Sequence, residues 1–268
     1  MRFGYDGAAF HGWARQPGAR TVEGEIRRGL VRLAIAGSAS SRLEVASRTD
    51  RAVSARSNAL TLVSRLAGPE LLRRLNAIDP DLYFTAAATV PSDFRVRRAI
   101  RRSYRYFDPF PVKDPPRRAE AAALFRGEID VRSFGRGVPG AVPSWRPIES
   151  VTPNPVAGGS TIEVRAPAFV WGMVRKIVGA LREVDAGRLS VVRLRAALSG
   201  RARLTLPMAE PEPLILWEVE HGVPWEFLRT DASRAQRAHA RARRAEWWVR
   251  GRLLESLAET EDPGTGTS

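Results

Sequence analysis

Ser47-Arg48-Thr49-Asp50-Arg51-Ala52-Val53-Ser54-Ala55 lies between two strand-like runs, Leu43-Glu44-Val45-Ala46 before it and Asn58-Ala59-Leu60-Thr61-Leu62-Val63 after it. A polar loop between two such runs predicts two paired strands. A loop of this kind can aim one side chain into a cleft while rigid elements hold its ends. Here that side chain is the Asp50 carboxylate, and the guanidiniums of Arg48 and Arg51 flank it. Arginine suits an anionic substrate such as a phosphodiester. Taken alone, an R-x-D-R loop reads as a salt-bridged solvated turn.

Working outward, residues 2–5 read as a strand that ends in a turn at Tyr5-Asp6-Gly7. Thr21 caps a helix carrying Val22, Ile26, Leu30 and Leu33 on one face, with Glu23 and Glu25 in its first turn. A second helix follows Pro69 through Leu71, Leu72 and Leu75, and a strand covers 82–90. The order β-α-β-β-α-β is a split βαβ unit with an antiparallel sheet. Later residues repeat it in outline. A strand at 103–107 precedes a helix at 117–125, and strands fall near 148–151 and 161–164. A helix at 171–184 carries Met173, Val174, Ile177, Val178, Leu181 and Val184 at helical spacing. A short helix near 191–199 and a strand at 214–219 close the repeat. A Gly- and Pro-rich insertion at 135–147 interrupts it.

The fold class expected is α+β: two ferredoxin-like halves around a central antiparallel sheet with a cleft between them. The halves are 1–98, carrying the Asp50 loop, and 99–225. Residues 226–268 form a basic tail. In it 232–258 reads as an Arg-rich helix, with Trp247, Leu254 and Ala258 along one stripe and Arg234, Arg237, Arg241 and Arg244 along another. From Asp262 the composition predicts disorder.

The chain has 268 residues, 44% hydrophobic, enough for a substantial core. Its formal net charge is +14, which points to a polyanionic partner. Only Lys113 and Lys176 among the 43 basic residues are lysines. Nucleotide bias in a genome accounts for most of that arginine choice, but not for the excess charge. The lack of cysteine excludes disulfides and thiolate chemistry. The three histidines, His11, His221 and His239, have no metal-ligand spacing. No run approaches membrane-spanning length and no apolar leader opens the chain, so a soluble cytoplasmic protein is expected.

Several blocks resemble one family. Arg48-Thr49-Asp50-Arg51-Ala52-Val53-Ser54-Ala55 is similar to the active-site loop G-R-T-D-x-G-V-[HS]-A of the TruA family of tRNA pseudouridine synthases. The basic residue after Asp50 and the serine at 54 resemble its archaeal and eukaryotic branches. Ser47 and Ala52 stand where glycine is usual. Tyr5-Asp6-Gly7 through His11-Gly12-Trp13, with Gln16 and Thr21-Val22-Glu23, resembles the family's opening. Phe94-Arg95-Val96-Arg97 with Arg102-Ser103-Tyr104-Arg105-Tyr106 is similar to F-x-x-R…R-x-Y-x-Y. Residues 169–179 resemble F-[VL]-x-x-M-V-R-x-I-V-G, and 212–219 resemble the closing strand. Blocks in this order across both halves are a far more specific signal than any one alone.

The resemblance implies the same two-half fold and an isomerase that makes pseudouridine in the tRNA anticodon arm, with no metal or organic cofactor. It implies that Asp50 is the catalytic aspartate, that Tyr104 lies against the target base, and that Arg175 pairs with the aspartate. It also implies a homodimer. A stacked uridine hides its glycosidic bond and must be flipped out, and a tyrosine ring gives the flipped base a stacking surface. The carboxylate then acts as nucleophile or base, between which the residues do not choose. Arg48, Arg51, Arg97, Arg102 and Arg105 are the expected RNA contacts. The opening block, Tyr5 to Trp13, reads as a turn and its core packing. The alternative function is a catalytically silent RNA-binding protein on the same scaffold.

Overall fold

The computed structural model of the chain describes residues 1–35, 43–137, 144–225 and 234–258. The centre of the 135–147 insertion and the stretch from Asp262 lie outside the described residues. Residues 1–229 form one compact unit and 230–268 a second.

In the first unit the order is β1 (Arg2–Tyr5), α1 (Val22–Arg32), β2 (Glu44–Val45), β3 (Ser54–Thr61), α2 (Gly68–Leu75) and β4 (Leu82–Ala86). There follow β5 (Arg101–Asp108), α3 (Pro115–Ala123), β6 (Gly127–Asp130), β7 (Trp145–Ile148), β8 (Ser150–Val156) and β9 (Gly159–Ala166). Then come α4 (Met173–Asp185), α5 (Val191–Leu198) and β10 (Leu214–Glu220). Eight strands make one sheet in the order β4-β1-β3-β10-β5-β9-β8, with β2 paired to β3. Every pairing in it is antiparallel except β3 with β10, where Ile215 stands opposite Ser54 and Leu216 opposite Ala55. The protein is thus a mixed α+β fold built on a large, mostly antiparallel sheet, with six α-helices among the described residues.

Local chemistry sets the helices. The Thr21 hydroxyl accepts the Gly24 N–H at 3.2 Å, and Val22, Ile26 and Leu30 of α1 are buried. The α4 stripe of Met173, Val174, Ile177, Val178, Leu181 and Val184 is buried as its spacing predicts. That helix starts at Met173 rather than Trp171, because Gly172 takes a left-handed conformation (φ +75°) that ends the preceding segment. β3 begins four residues before the apolar run at 58. Its polar start, Ser54–Arg56, pairs with β1 on one side and β10 on the other, so strand neighbours override weak propensity. β6 is not legible in the sequence: among the described residues it pairs with β7 alone in a separate two-stranded sheet, and Gly127-Glu128-Ile129-Asp130 carries a single large apolar residue.

One polar cluster gathers at the end of β5, with Asp108 and Arg118 buried at its centre. The Asp108 carboxylate, with no side-chain exposure, accepts from Arg118 and from Arg182 at 3.0 Å. Arg182 also reaches Glu210 at 2.7 Å, and the Tyr106 hydroxyl donates to Glu210 at 3.1 Å. Burial of Tyr106 and its carboxylate neighbour push the phenol pKa upward.

The second unit contains α6 (Arg234–Ala258), a 25-residue helix. The helix expected in the tail is therefore present. Trp247, Trp248 and Leu253 are exposed, and the Arg243 guanidinium lies 6.0 Å from the Trp247 ring centre.

Candidate active site

The opening block of the chain builds the platform under the Asp50 loop. The Trp13 N–H donates to the Thr49 carbonyl at 3.1 Å, and the Tyr5 and Thr49 hydroxyls share a 2.8 Å hydrogen bond. The Gly7 N–H donates to the Ser54 hydroxyl at 3.0 Å. A Cβ on Gly7 would stand 2.3 Å from the Val53 backbone, so no other residue fits there. Phe10 and Trp13 are buried, in keeping with the core-packing reading. Asn58 on β3 donates to the Ser47 carbonyl at 2.8 Å and holds the loop's first end.

Two non-glycine residues stand where the resembled pattern has glycine. Ala52 has φ +65°, the left-handed region that an alanine methyl disfavours. The loop therefore carries strain on the order of 1 kcal/mol. Ala52→Gly is expected to raise the thermal unfolding midpoint by about 3 °C, since about 1 kcal/mol moves a domain of this size by that much. An unchanged or lower midpoint in a melting curve refutes the strain. Ser47, by contrast, has work for its side chain: its buried hydroxyl accepts from Arg102 Nε at 2.9 Å.

The loop opens into a cavity of about 550 Å³ bounded by residues 45–50, Val53, Arg97, Arg102, Tyr104, residues 168–175 and Leu214. That volume suits a small-ligand site. β3, β10 and β5 are adjacent strands, so Tyr104 on β5 lies about 10 Å across the sheet from the start of β3. Tyr104 is 8% exposed and meets the Phe169 ring edge-on at 5.1 Å between centres. Burial pushes its phenol up to about 12, so at neutral pH it is a hydrogen-bond donor and not a base.

Among the described residues, Asp50 is the one carboxylate bounding this cavity. The first of its oxygens, Oδ1, accepts from the Trp171 indole N–H at 2.6 Å. The second, Oδ2, stands 3.5 Å from an Arg175 guanidinium nitrogen. Arg175 Nε is committed to the Ala209 carbonyl at 2.6 Å, while the Ala209 N–H donates to the Arg175 carbonyl at 3.1 Å. Glu210, next in sequence and exposed, anchors that same segment through Arg182 and Tyr106.

The structure thus gathers Asp50, Tyr104 and Arg175 about one cavity, from the β2–β3 loop, β5 and α4. The other expected positions separate. Arg48 and Arg97 are exposed on the cavity wall, and Arg51 is exposed on the loop. Arg102 turns inward. It is 8% exposed and donates to the carbonyls of Ala46 (3.0 Å), Arg97 (2.7 Å) and Pro167, besides Ser47. Burial pulls its pKa down. It ties together three segments of the cavity wall. Arg105 is on the other face of β5, 3.8 Å over the Trp217 ring and 3.2 Å from Glu163. Residues 95–98 precede β5, so strand alternation governs only 101–108.

Trp171 was missed by sequence reasoning. It occupies a variable position in the resembled segment, and an exposed tryptophan before a helix reads as surface. Its signal was its place, two residues before the buried stripe of α4.

Comparison with known proteins places these residues in context. Residues 121–221 match the model of a family described as tRNA pseudouridine synthase. A Thermococcus gammatolerans protein named tRNA pseudouridine synthase A is 39% identical over 244 residues, 89% of each chain. Its namesake from Thermococcus kodakarensis is 38% identical over 88% of this chain and 90% of its own. A Methanothrix thermoacetophila protein of the same name is 33% identical over 97% of this chain and 98% of its own. These relatives are archaeal, in line with the branch that the loop resembles.

Proposed function

The chain belongs to the tRNA pseudouridine synthase family and isomerises uridine to pseudouridine in tRNA; we propose that it does so at uridines of the anticodon arm, with Asp50 as the working carboxylate. The observation that carries this reading is the single carboxylate of the cavity, held between Trp171 and Arg175 beside the Tyr104 ring.

The reaction is an isomerisation and needs no co-reactant. The C1′–N1 bond of the nucleoside breaks, the uracil rotates, and a C1′–C5 bond forms. The C5 hydrogen leaves as a proton and N1 gains one. Asp50 engages the flipped nucleoside, Arg175 balances its charge, and Tyr104 receives the face of the base. Arg48, Arg51 and Arg97 meet the phosphates beside the flipped nucleotide. Arg102 serves that contact indirectly, by fixing the wall that presents Arg97. Arg105, on the opposite face of β5 and engaged with Glu163 and Trp217, stands apart from this contact.

The matching strand orders β4-β1-β3-β2 and β10-β5-β9-β8 support reading 1–98 and 99–225 as two split βαβ halves. By family resemblance the working form is a cytoplasmic homodimer, with the second subunit holding more of the tRNA. Residues 226–268 add a phosphate-binding arm. Incubation with unmodified tRNA, followed by carbodiimide-adduct primer-extension stops, tests the function: new stops in the anticodon arm are expected, and stops elsewhere or none refute it.

Affinity for tRNA should fall steeply with salt, by about 10³-fold or more between 50 and 200 mM if some six phosphates are neutralised. The slope of log K on log salt should be shallower for a chain ending at residue 225. A flat slope for the full chain removes the electrostatic reading, and equal slopes remove the arm.

A further inference from the structure

We propose that Trp171 is a positioning residue for Asp50, its indole N–H fixing one carboxylate oxygen so that the other faces the substrate. This rests on the reading of Asp50 as the working carboxylate. The two oxygens are held unequally. Oδ1 accepts a short hydrogen bond of 2.6 Å from Trp171 Nε1. Oδ2 is 3.5 Å from Arg175, at the weak end of hydrogen-bond geometry, and the Nε of that guanidinium is already spent on the Ala209 carbonyl. Oδ2 is therefore the oxygen free to meet an incoming nucleoside.

The indole is built to stay in place. The Trp171 backbone carbonyl accepts the Arg136 backbone N–H at 2.9 Å, and the Arg136 guanidinium covers the ring at 4.4 Å. On the other side, the Val170 carbonyl accepts the Met173 N–H at 3.1 Å and Gly172 makes its left-handed turn. A Cβ on Gly172 would press within 2.7 Å of the Met208 methyl. The anchored backbone fixes where the side chain leaves the chain, and Arg136 over one ring face with Asp50 on the N–H edge holds the rotamer, contacts that a mere surface ring lacks. An indole also donates and never accepts, so its partner must be an acceptor such as a carboxylate. With one ring face under Arg136, the N–H edge is the part of Trp171 turned to the site.

The test separates chemistry from binding. Single-turnover rates and tRNA dissociation constants are measured on the full-length protein for wild type, Trp171→Phe, and a variant with benzothienylalanine at 171. The last keeps the ring shape and replaces N–H by sulfur. Thermal midpoints are recorded alongside. Loss of one hydrogen bond to a charged group should slow the single-turnover rate about 10- to 100-fold in both variants, with the dissociation constant within about twofold. An unchanged rate in the benzothienyl variant overturns the proposal, whatever happens to the phenylalanine variant. A weakened dissociation constant at unchanged rate also overturns it and makes the ring an RNA-stacking surface. A wild-type protein that forms no pseudouridine fails the functional reading itself, independently of Trp171.

Discussion

Asp50→Asn is expected to abolish pseudouridine formation while leaving tRNA affinity within about tenfold. The amide keeps the shape of the side chain and can still accept from Trp171, so the loop, held by Trp13, Tyr5 and Asn58, should stand unchanged. What goes is the only carboxylate that bounds the cavity among the described residues. Among them there is no second acid and no histidine on that wall to take over its work. Losing the acting group of a site typically costs on the order of 10³-fold or more in rate. Affinity rests instead on phosphate contacts spread over many arginines, to which one neutralised side chain adds little. Single-turnover assay by carbodiimide-adduct stops, with filter binding in parallel, reads both quantities. Appreciable activity in the asparagine protein would remove Asp50 from its role.

Asp108→Ala should be the most destabilising single change in the first unit. Asp108 has no side-chain exposure and Arg118 only 2%. Arg182 keeps Glu210 when Asp108 is removed, but among the described residues Arg118 has no other acid within ion-pair distance and becomes a buried, uncompensated cation. Breaking such a pair from one side costs about 3–5 kcal/mol, a large share of the roughly 5–15 kcal/mol that holds a domain together. The melting midpoint should drop by about 10 °C. The double change Asp108→Leu with Arg118→Met should recover much of this, because a buried pair replaced by apolar groups loses little. Calorimetry on the three proteins decides it. A double variant as unstable as Asp108→Ala would mean that the cluster stabilises through its hydrogen bonds rather than by mutual neutralisation.

Much of the fold was legible because periodicity carries it. The α4 stripe, the Thr21 cap and the alternation of Tyr104 and Tyr106 on β5 are local signals that burial later satisfies. Strand ends were less legible, since Ser54–Arg56 becomes strand only through neighbours more than forty residues away in sequence. Within the site, Asp50, Tyr104 and Arg175 could be marked by motif and meet at one cavity. Two side-chain environments lay beyond what the motifs carry. Arg102 stands in the R-x-Y-x-Y block as an expected RNA contact, yet it is enclosed by carbonyls from three separate segments. Trp171 reads as an exposed aromatic until the packing shows its N–H on Asp50. Both depend on tertiary contacts that spacing does not encode.

The central place of β10 bears on how the protein is made. This strand is the last of the first unit in the chain, yet it sits between β3 and β5 in the middle of the sheet. While the ribosome is still synthesising residues before 214, those two strands have bare edges facing one another. The Asp50 loop and Tyr104 cannot then be brought to their final spacing. A nascent chain therefore has no assembled site until the sheet closes, and its exposed strand edges are the point at which a chaperone or an unwanted neighbour would engage it.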